Sequence, residues 1–305
     1  MQDRMTIGDW ALLVMLSVLW GGSYFFAKII VREVPPLTIV FFRFFLGAVV
    51  LLGYIQWRRI ELPHGPAVWL NFAGMGLLNN LIPGVLITWG QTAISSGLAS
   101  VLVATTPIFS ILLAYKIGNN RETLSKAKIL GVTMGLLGVM ILVGIEAPTY
   151  SERAIVAVLA CLAAAISYGF ANIFGQRFRR LGISPAVGAF GQIAATSVMI
   201  MPFALAMEQP WHLQIPSVRV WLAIFGLSCL STAIGYMIFF RVLDRAGGTN
   251  ISLVTLLVPA SAILLSWAVL DEGLTGTQAL GVACIATGLL VVDGRIPALL
   301  RWYRR

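Results

Sequence analysis

Arg43 is the one charged residue set well inside a long apolar run, within Phe41-Phe42-Arg43-Phe44-Phe45. A guanidinium carries five N–H donors in a planar fork that matches a carboxylate. At the centre of a bilayer an arginine costs at least about 2.5–3.5 kcal/mol. Two readings follow. The side chain can snorkel outward to the interface, or it can face a cavity and bind a carboxylate. Trp20 and Tyr24 stand one turn apart and share a helix face. Tyr168 and Tyr236 also lie inside apolar runs. Aromatic rings with polar tips suit an apolar pocket that orients its ligand by a few hydrogen bonds. The same rings also serve as packing or interface anchors, which is the reading for Trp89 near the end of its run.

Asn79 and Asn80 sit mid-run, and Asn172 and Gln192 lie in later runs. Interhelical hydrogen bonds of about 0.6 kcal/mol each would satisfy such amides without a ligand. Adjacent helix positions point about 100° apart, so one of the Asn79-Asn80 pair can reach a cavity. Pro107 and Pro259 each remove an N–H and disturb the carbonyl four residues back, Val103 and Thr255. Both are expected helix-break positions, either kinking the helix for packing or presenting a carbonyl to a cavity.

Other chemistry is missing from the sequence. There is no Walker loop, no His-Glu-x-x-His, no nucleophile elbow and no mid-run Asp or Glu. Cys161, Cys229 and Cys284 are far apart and read as small buried residues. His64 and His212 fall in polar connections. No catalytic residue, metal or cofactor is expected. Without a buried carboxylate, a facilitator or coupling through groups such as Asp9 is favoured over a dedicated proton pump. The Asn250-Ile251-Ser252 sequon falls at an expected cytoplasmic helix end and is disregarded.

These residues need a membrane scaffold. Of the 305 residues, 59% are hydrophobic and 11% charged, against roughly 25% charged in soluble domains. The net charge of +9 is spread between apolar runs rather than massed for nucleic acid. Ten runs of bilayer-spanning length are predicted at 9–30, 37–57, 67–89, 97–117, 126–145, 154–174, 186–207, 218–240, 249–270 and 274–293. The first lacks a small-residue cleavage site and reads as a retained span rather than a signal peptide. Sixteen Lys and Arg fall on the side of the N-terminus and four on the other. This bias predicts cytoplasmic N- and C-termini.

A shift of 152 residues lays Pro107-Ile-Phe-Ser-Ile-Leu-Leu on Pro259-Ala-Ser-Ala-Ile-Leu-Leu, and Ser100 on Ser252. Leu130-Gly131-Val132 matches Leu280-Gly281-Val282, and Gly138 matches Gly288. Near each start, Ser23-Tyr24-Phe25-Phe26-Ala27 matches Ser167-Tyr168-Gly169-Phe170-Ala171, which makes Tyr168 the mate of Tyr24. The expected fold is all-α, ten transmembrane helices in two five-helix repeats over 1–147 and 148–305. Because five is odd, the second repeat enters the membrane inverted, and transporters of this kind bind substrate near the midplane between repeats. Gly131-x-x-x-Gly135, Gly281 and Gly288 permit close helix contact, joining either the repeats or two subunits of a homodimer.

The segments "LWGGSYFFAK", "PPLTIVFFRFFLGAVVLL", "SGLASVLVATTPIFSILLA" and "LLVPASAILLSWAVLDEGLTGTQALGVACIATGLLVV" carry a resemblance. With them the chain resembles the drug/metabolite transporter superfamily, and within it the ten-span EamA-domain proteins. The resemblance implies an exporter of amino acids or other metabolites, with relatives that carry nucleotide sugars or drugs. It also implies that the Arg43-Phe44 pair is part of the family pattern. A Gly-Glu pair usual after the fourth helix of each domain is replaced by "GNN" in the first half, whereas the second half keeps Asp271 and Glu272.

The expected function is a secondary transporter in the bacterial inner membrane that exports an amino acid or related carboxylate by alternating access. Trp20, Tyr24, Arg43, Asn79, Asn80, Tyr168 and Tyr236 are the expected lining residues. The alternatives are a multidrug or cation exporter, a membrane-embedded enzyme, or a sensor that moves nothing. The lack of a mid-run carboxylate speaks against the first of these.

Overall fold

The computed structural model describes residues 6–117, 126–144, 151–175, 177–178, 181–251, 254–273 and 275–292, and every regular element among them is helical. In chain order the helices are α1 Ile7–Ile30, α2 Pro36–Trp57, α3 Pro66–Gly90, α4 Ser96–Lys116, α5 Lys126–Gly144, α6 Glu152–Phe174, α7 Pro185–Glu208, α8 Val218–Val242, α9 Val254–Leu270 and α10 Gly276–Val292. Helix α8 continues without a break to Ile251. Seven of these, all but α5, α9 and α10, are long and apolar enough to cross a membrane, and those three contain shorter apolar stretches.

Local sequence starts the helices. Thr6 and Asp9 form a reciprocal capping box at α1. Serine side chains at positions 95, 151, 184 and 217 accept from the first turns of α4, α6, α7 and α8.

One end of the bundle collects the ends of α1, α3, α7 and α9 and the starts of α2, α4 and α8. Carboxylates hold it together. Helix α2 begins Pro35-Pro36 with no side-chain cap, and Glu208 at the end of α7 accepts from Leu37 N (2.9 Å), Thr38 N (2.7 Å) and Thr38 Oγ1 (2.8 Å). Glu272 accepts from Ser96 N (3.0 Å) and Ser96 Oγ (2.8 Å) at the start of α4. Glu33 accepts from Ser217 N (2.7 Å) and Ser217 Oγ (2.8 Å) at α8, and those bonds hold its carboxyl below the usual glutamate value. Each carboxylate meets the positive end of a helix that it does not belong to. Lys28 completes this end, donating to Gln91 O (2.8 Å) and Ile94 O (2.7 Å), 3.7 Å from Glu272. At the opposite end Arg245 approaches Asp9 to 3.1 Å.

Helices α5 and α10 pack through glycines. A Cβ on Gly138 would lie 2.8 Å from Gly281 O, and one on Gly288 would lie 2.7 Å from Gly131 O. The two helices therefore run antiparallel. Gly131 and Gly281 are matched in the two halves, as are Gly138 and Gly288, so the contacts exchange when the halves are exchanged. That is the signature of a two-fold contact. Of the two uses open to these glycines, the structure shows contact within one chain.

The two matched prolines differ in helix path. Helix α4 is interrupted at Ala104-Thr105 and resumes at Thr106, one residue before Pro107. The Val103 carbonyl accepts from Thr106 Oγ1 (2.7 Å), so it is occupied rather than offered to a cavity. Pro259 lies inside α9 with no interruption, which departs from the expected break. Near the start of a helix the missing N–H removes a single bond, and the turns on either side carry the path through.

Replacing Gly288 by leucine must push α10 off the α5 backbone. Overpacking of this kind costs about 1–3 kcal/mol. Thermal unfolding of the detergent-purified variant should show a lowered midpoint, and Gly273→Leu, where a Cβ meets nothing within 4 Å, should not.

Candidate functional site

The expected site residues lie on α1, α2, α3, α6 and α8. Two irregular helix segments position several of them. Helix α3 widens into a π-turn over Leu77–Leu81, which carries Asn79 and Asn80. Helix α8 does the same over Gly226–Ile234, which carries Ser228 and Thr232. Such bulges turn side chains off the regular helical register and often occur at functional sites. Shifted by the 152 residues that relate the halves, 77–81 falls on 229–233, inside the second π segment.

Arg43 does not stand alone. Its Nε donates to Thr232 Oγ1 (3.2 Å), and its guanidinium carbon lies 5.3 Å from the Phe44 ring centroid. Thr232 Oγ1 is itself tied to Leu227 O (2.8 Å), and Ser228 Oγ donates to Phe42 O (3.2 Å). The arginine is thus pinned to α8, directed at a threonine that is 2% exposed. Its terminal nitrogens have no hydrogen-bond partner and no carboxylate among the described residues. Tyr236 stands four residues beyond Thr232 on α8, and Tyr24, Tyr168 and Tyr236 are all half-buried. The guanidinium has four N–H donors left to use.

The amides form a second, adjoining cluster. Asn79 Nδ2 donates to Gln192 Oε1 (2.8 Å) and to Tyr236 Oη (3.3 Å). Asn80 Nδ2 donates to the same Gln192 oxygen (3.4 Å), and Tyr236 Oη donates to Asn80 Oδ1 (3.3 Å). Both asparagines, rather than one, therefore meet the network. Trp20 packs edge-on against Tyr236 (6.4 Å between centroids) and stacks on Phe239 (5.4 Å). Tyr236 belongs to both clusters and joins them.

Two participants carried weak signals in the sequence. Gln192 stood out only as an amide in need of a partner, and it is the hub of the amide cluster. Asn172 bonds Ser110 Oγ instead (2.9 Å), away from these residues. Thr232 is an ordinary span threonine by sequence, and the π segment that aims it has no periodic signature. Pro107 and Pro259 lie outside both clusters. Pro259 lines a cavity of about 400 Å³ between α4, α9 and α10 whose wall is almost wholly apolar, including Val101, Ile263, Val282 and Leu289. A second cavity of about 150 Å³ lies among the end of α6, the start of α7 and the later part of α8, with Gln192 in its wall.

A model of the EamA-like transporter family matches residues 8–144 and again residues 155–292. The "Uncharacterized transporter YoaV" of Bacillus subtilis (strain 168) is 28% identical over 280 residues, which is 92% of this chain and 94% of that protein. The "Probable amino-acid metabolite efflux pump" of Escherichia coli (strain K12) is 27% identical over 293 residues, 93% of this chain and 94% of that one. A solved crystal structure with 20% identity has the same fold at a TM-score of 0.65, covering 94% of this chain and 98% of that one.

Gln192→Leu would leave the buried Asn80 Nδ2 without an acceptor and take the shorter of two bonds from Asn79 Nδ2, which costs about 1–3 kcal/mol. Tyr236→Phe removes two long hydrogen bonds and should cost less than about 1 kcal/mol. Thermal unfolding midpoints of the two purified variants test this order.

Proposed function

This chain belongs to the EamA-like transporter family, and from that premise we propose that it is a secondary transporter exporting a small carboxylate-bearing metabolite, an amino acid in the first instance. The observation that carries the substrate class is Arg43. A cation set in apolar surroundings with terminal donors unpaired suits a carboxylate. The same cation would repel a cationic drug, which disfavours a cation exporter. The relative whose printed name includes amino-acid metabolite efflux supports the amino-acid class.

The mechanism is alternating access between two inverted five-helix repeats that together make ten spans. Three features support it. The antiparallel α5–α10 contact exchanges Gly138–Gly281 for Gly288–Gly131. The π segments of α3 and α8 share one register. Helix α1 starts at the end opposite the carboxylate-capped one, whereas α6 starts at that capped end, where Arg153 donates to Thr92 Oγ1 (3.2 Å). The repeat boundary falls near residue 147, and both termini face the cytoplasm. In this arrangement the capped end is the extracytoplasmic one and is closed. Substrate enters from the other end, displaces the hydroxyls around Arg43 and leaves when the Lys28–Glu272 lattice parts.

The test is counterflow in proteoliposomes loaded with a mixture of unlabelled amino acids. Wild type should take up labelled members of the mixture. Arg43→Ala should lower uptake about 10- to 100-fold, the equivalent of one or two charge-assisted hydrogen bonds. Tyr24→Ala should also lower it, with both variants monodisperse in detergent. Silence of the wild type across the panel rejects the substrate class.

The topology has its own test. In a cysteine-free background, His64→Cys should react with an impermeant maleimide from the cytoplasmic face and His212→Cys from the opposite face. Labelling of both from one face overturns the ten-span arrangement.

A further inference from the structure

The cavity of about 150 Å³ has a mixed wall. Phe178, Ile183, Pro185 and Phe240 supply apolar surface, and Gln192 supplies an amide. The Gln192 side chain belongs to a residue only 6% exposed. Its oxygen is taken by Asn79 and Asn80, at 2.8 and 3.4 Å. Its Nε2 donates to no described residue. That nitrogen is an unpaired amide donor on a residue that lines a cavity. The cavity also sits at the start of α7, a helix of 24 residues whose first turn runs from Ser184 through Pro185. Pro185 has no N–H and Val187 N is taken by Ser184 Oγ (3.4 Å), so it is the dipole of that end that favours an acceptor carrying negative charge. A carboxylate and a short apolar side chain would together match both parts of the wall.

The cavity is connected to the candidate site. Gln192 bonds Asn79, Asn79 bonds Tyr236, and Tyr236 stands four residues beyond Thr232, the partner of Arg43, on α8. Phe240, in the cavity wall, stacks on Tyr236 at 6.1 Å between centroids. A chain of polar groups thus runs from the cavity to the arginine. The cavity lies at the bundle end opposite the carboxylate caps.

We propose that this cavity is a loading subsite, in which Gln192 Nε2 and the start of α7 take the carboxylate of an apolar amino acid before it moves on to Arg43. The proposal rests on the carrier reading above for its destination, but the subsite binds whether or not transport follows. Gln192 is then a specificity-determining residue. Its oxygen holds the asparagines in place while its nitrogen selects an acceptor. Apolar amino acids are preferred over acidic ones because four of the wall residues offer no partner to a second charge.

Site-directed labelling tests this without any transport step. A Cβ at Gly188, which lines the cavity, meets only Ile183 Cγ2 at 3.9 Å, so Gly188→Cys fits there. The full chain, with Cys161, Cys229 and Cys284 replaced by alanine, is labelled in vesicles by an impermeant maleimide from the face that exposes the cavity. L-leucine should slow the reaction and L-leucinol, which lacks the carboxylate, should not. Gln192→Glu keeps an acceptor oxygen for the asparagines and loses the amide donor. It should raise the protecting leucine concentration roughly tenfold, the equivalent of about 1.4 kcal/mol. Equal labelling with and without leucine overturns the proposal, as does equal protection by leucine and leucinol, which need no second variant to fold. Protection by leucine with silent counterflow would sink the carrier reading and keep the subsite. Active counterflow of leucine without protection would do the reverse.

Discussion

A backbone amide or carbonyl that leaves a helix inside an apolar layer has no water to turn to, so every helix end and every irregularity must find a partner in the protein. The architecture of this chain follows from how it meets that demand. Helix α2 starts with two prolines and no capping side chain, and the carboxylate of Glu208 arrives from α7 to take its free N–H groups. Glu272 does the same for α4 and Glu33 for α8. Lys28 answers the converse need, donating to the carbonyls of Gln91 and Ile94 where α3 ends. Each solution ties two helices that are distant in sequence. The requirement that closes one end of the bundle is therefore the same one that lets helices end there at all.

The π segments meet the demand differently. Widening a helix frees or redirects groups within it, and the side chains of the widened turn take up the difference. Thr232 bonds back to Leu227 O, five residues earlier, and in doing so presents its oxygen to Arg43. Asn79 and Asn80, which a regular helix would point about 100° apart, both reach Gln192. The irregular backbone is what allows a cation and a cluster of amides to be held at set positions within an apolar bundle. That the same register is used in α3 and α8 ties the irregularity to the repeat rather than to a single side chain.

The legible part of the sequence was the part written in periodicity and composition. Apolar run length located most helices to within a few residues. Helix α8, however, continues to Ile251, where its run is predicted to end at 240 and the next to begin at 249, because the polar residues after Phe240 stay helical. The pairing of Leu130-Gly131-Val132 with Leu280-Gly281-Val282 pointed to a contact that the backbone now shows. Residue type also singled out Arg43, Tyr24, Tyr168 and Tyr236 as candidates, because a charge or a phenol in an apolar run is conspicuous. Partnership was not legible. Gln192 looked like any span amide because its partners are 113 and 112 residues away. Lys28 counted as one more extramembrane charge, yet it is mostly covered and makes two carbonyl bonds. Pro107 and Pro259 were equivalent as letters. One follows an interruption of α4 and the other stands in an unbroken α9, a difference set by the neighbouring hydroxyls at Thr105 and Thr106 that bond back to Leu102 and Val103.

Among the described residues the two ends of the bundle are held by unequal means, and the sequence of the halves bears on it. Matching Ser23 with Ser167 places Asn172 at the position of Lys28. Matching Pro107 with Pro259 places Asn120, which lies outside the described residues, at the position of Glu272. The first half thus has amides where the lattice at the capped end needs charges. Among the described residues Asn172 bonds Ser110 Oγ. At the opposite end the described ion pair is Arg245 with Asp9, and its arginine side chain is 49% exposed. The aspartate of that pair is 8% exposed, and the pair ties only α1 to α8. The capped end carries hydrogen-bonded carboxylates on three helix starts, in surroundings where such bonds are stronger. On the inverted-repeat reading, exchanging the halves does not exchange these closures. The two access states are then unequal in energy, with the form closed at the carboxylate end favoured. A carrier that waits in that form presents its cavity and its arginine to the side from which an exporter must load.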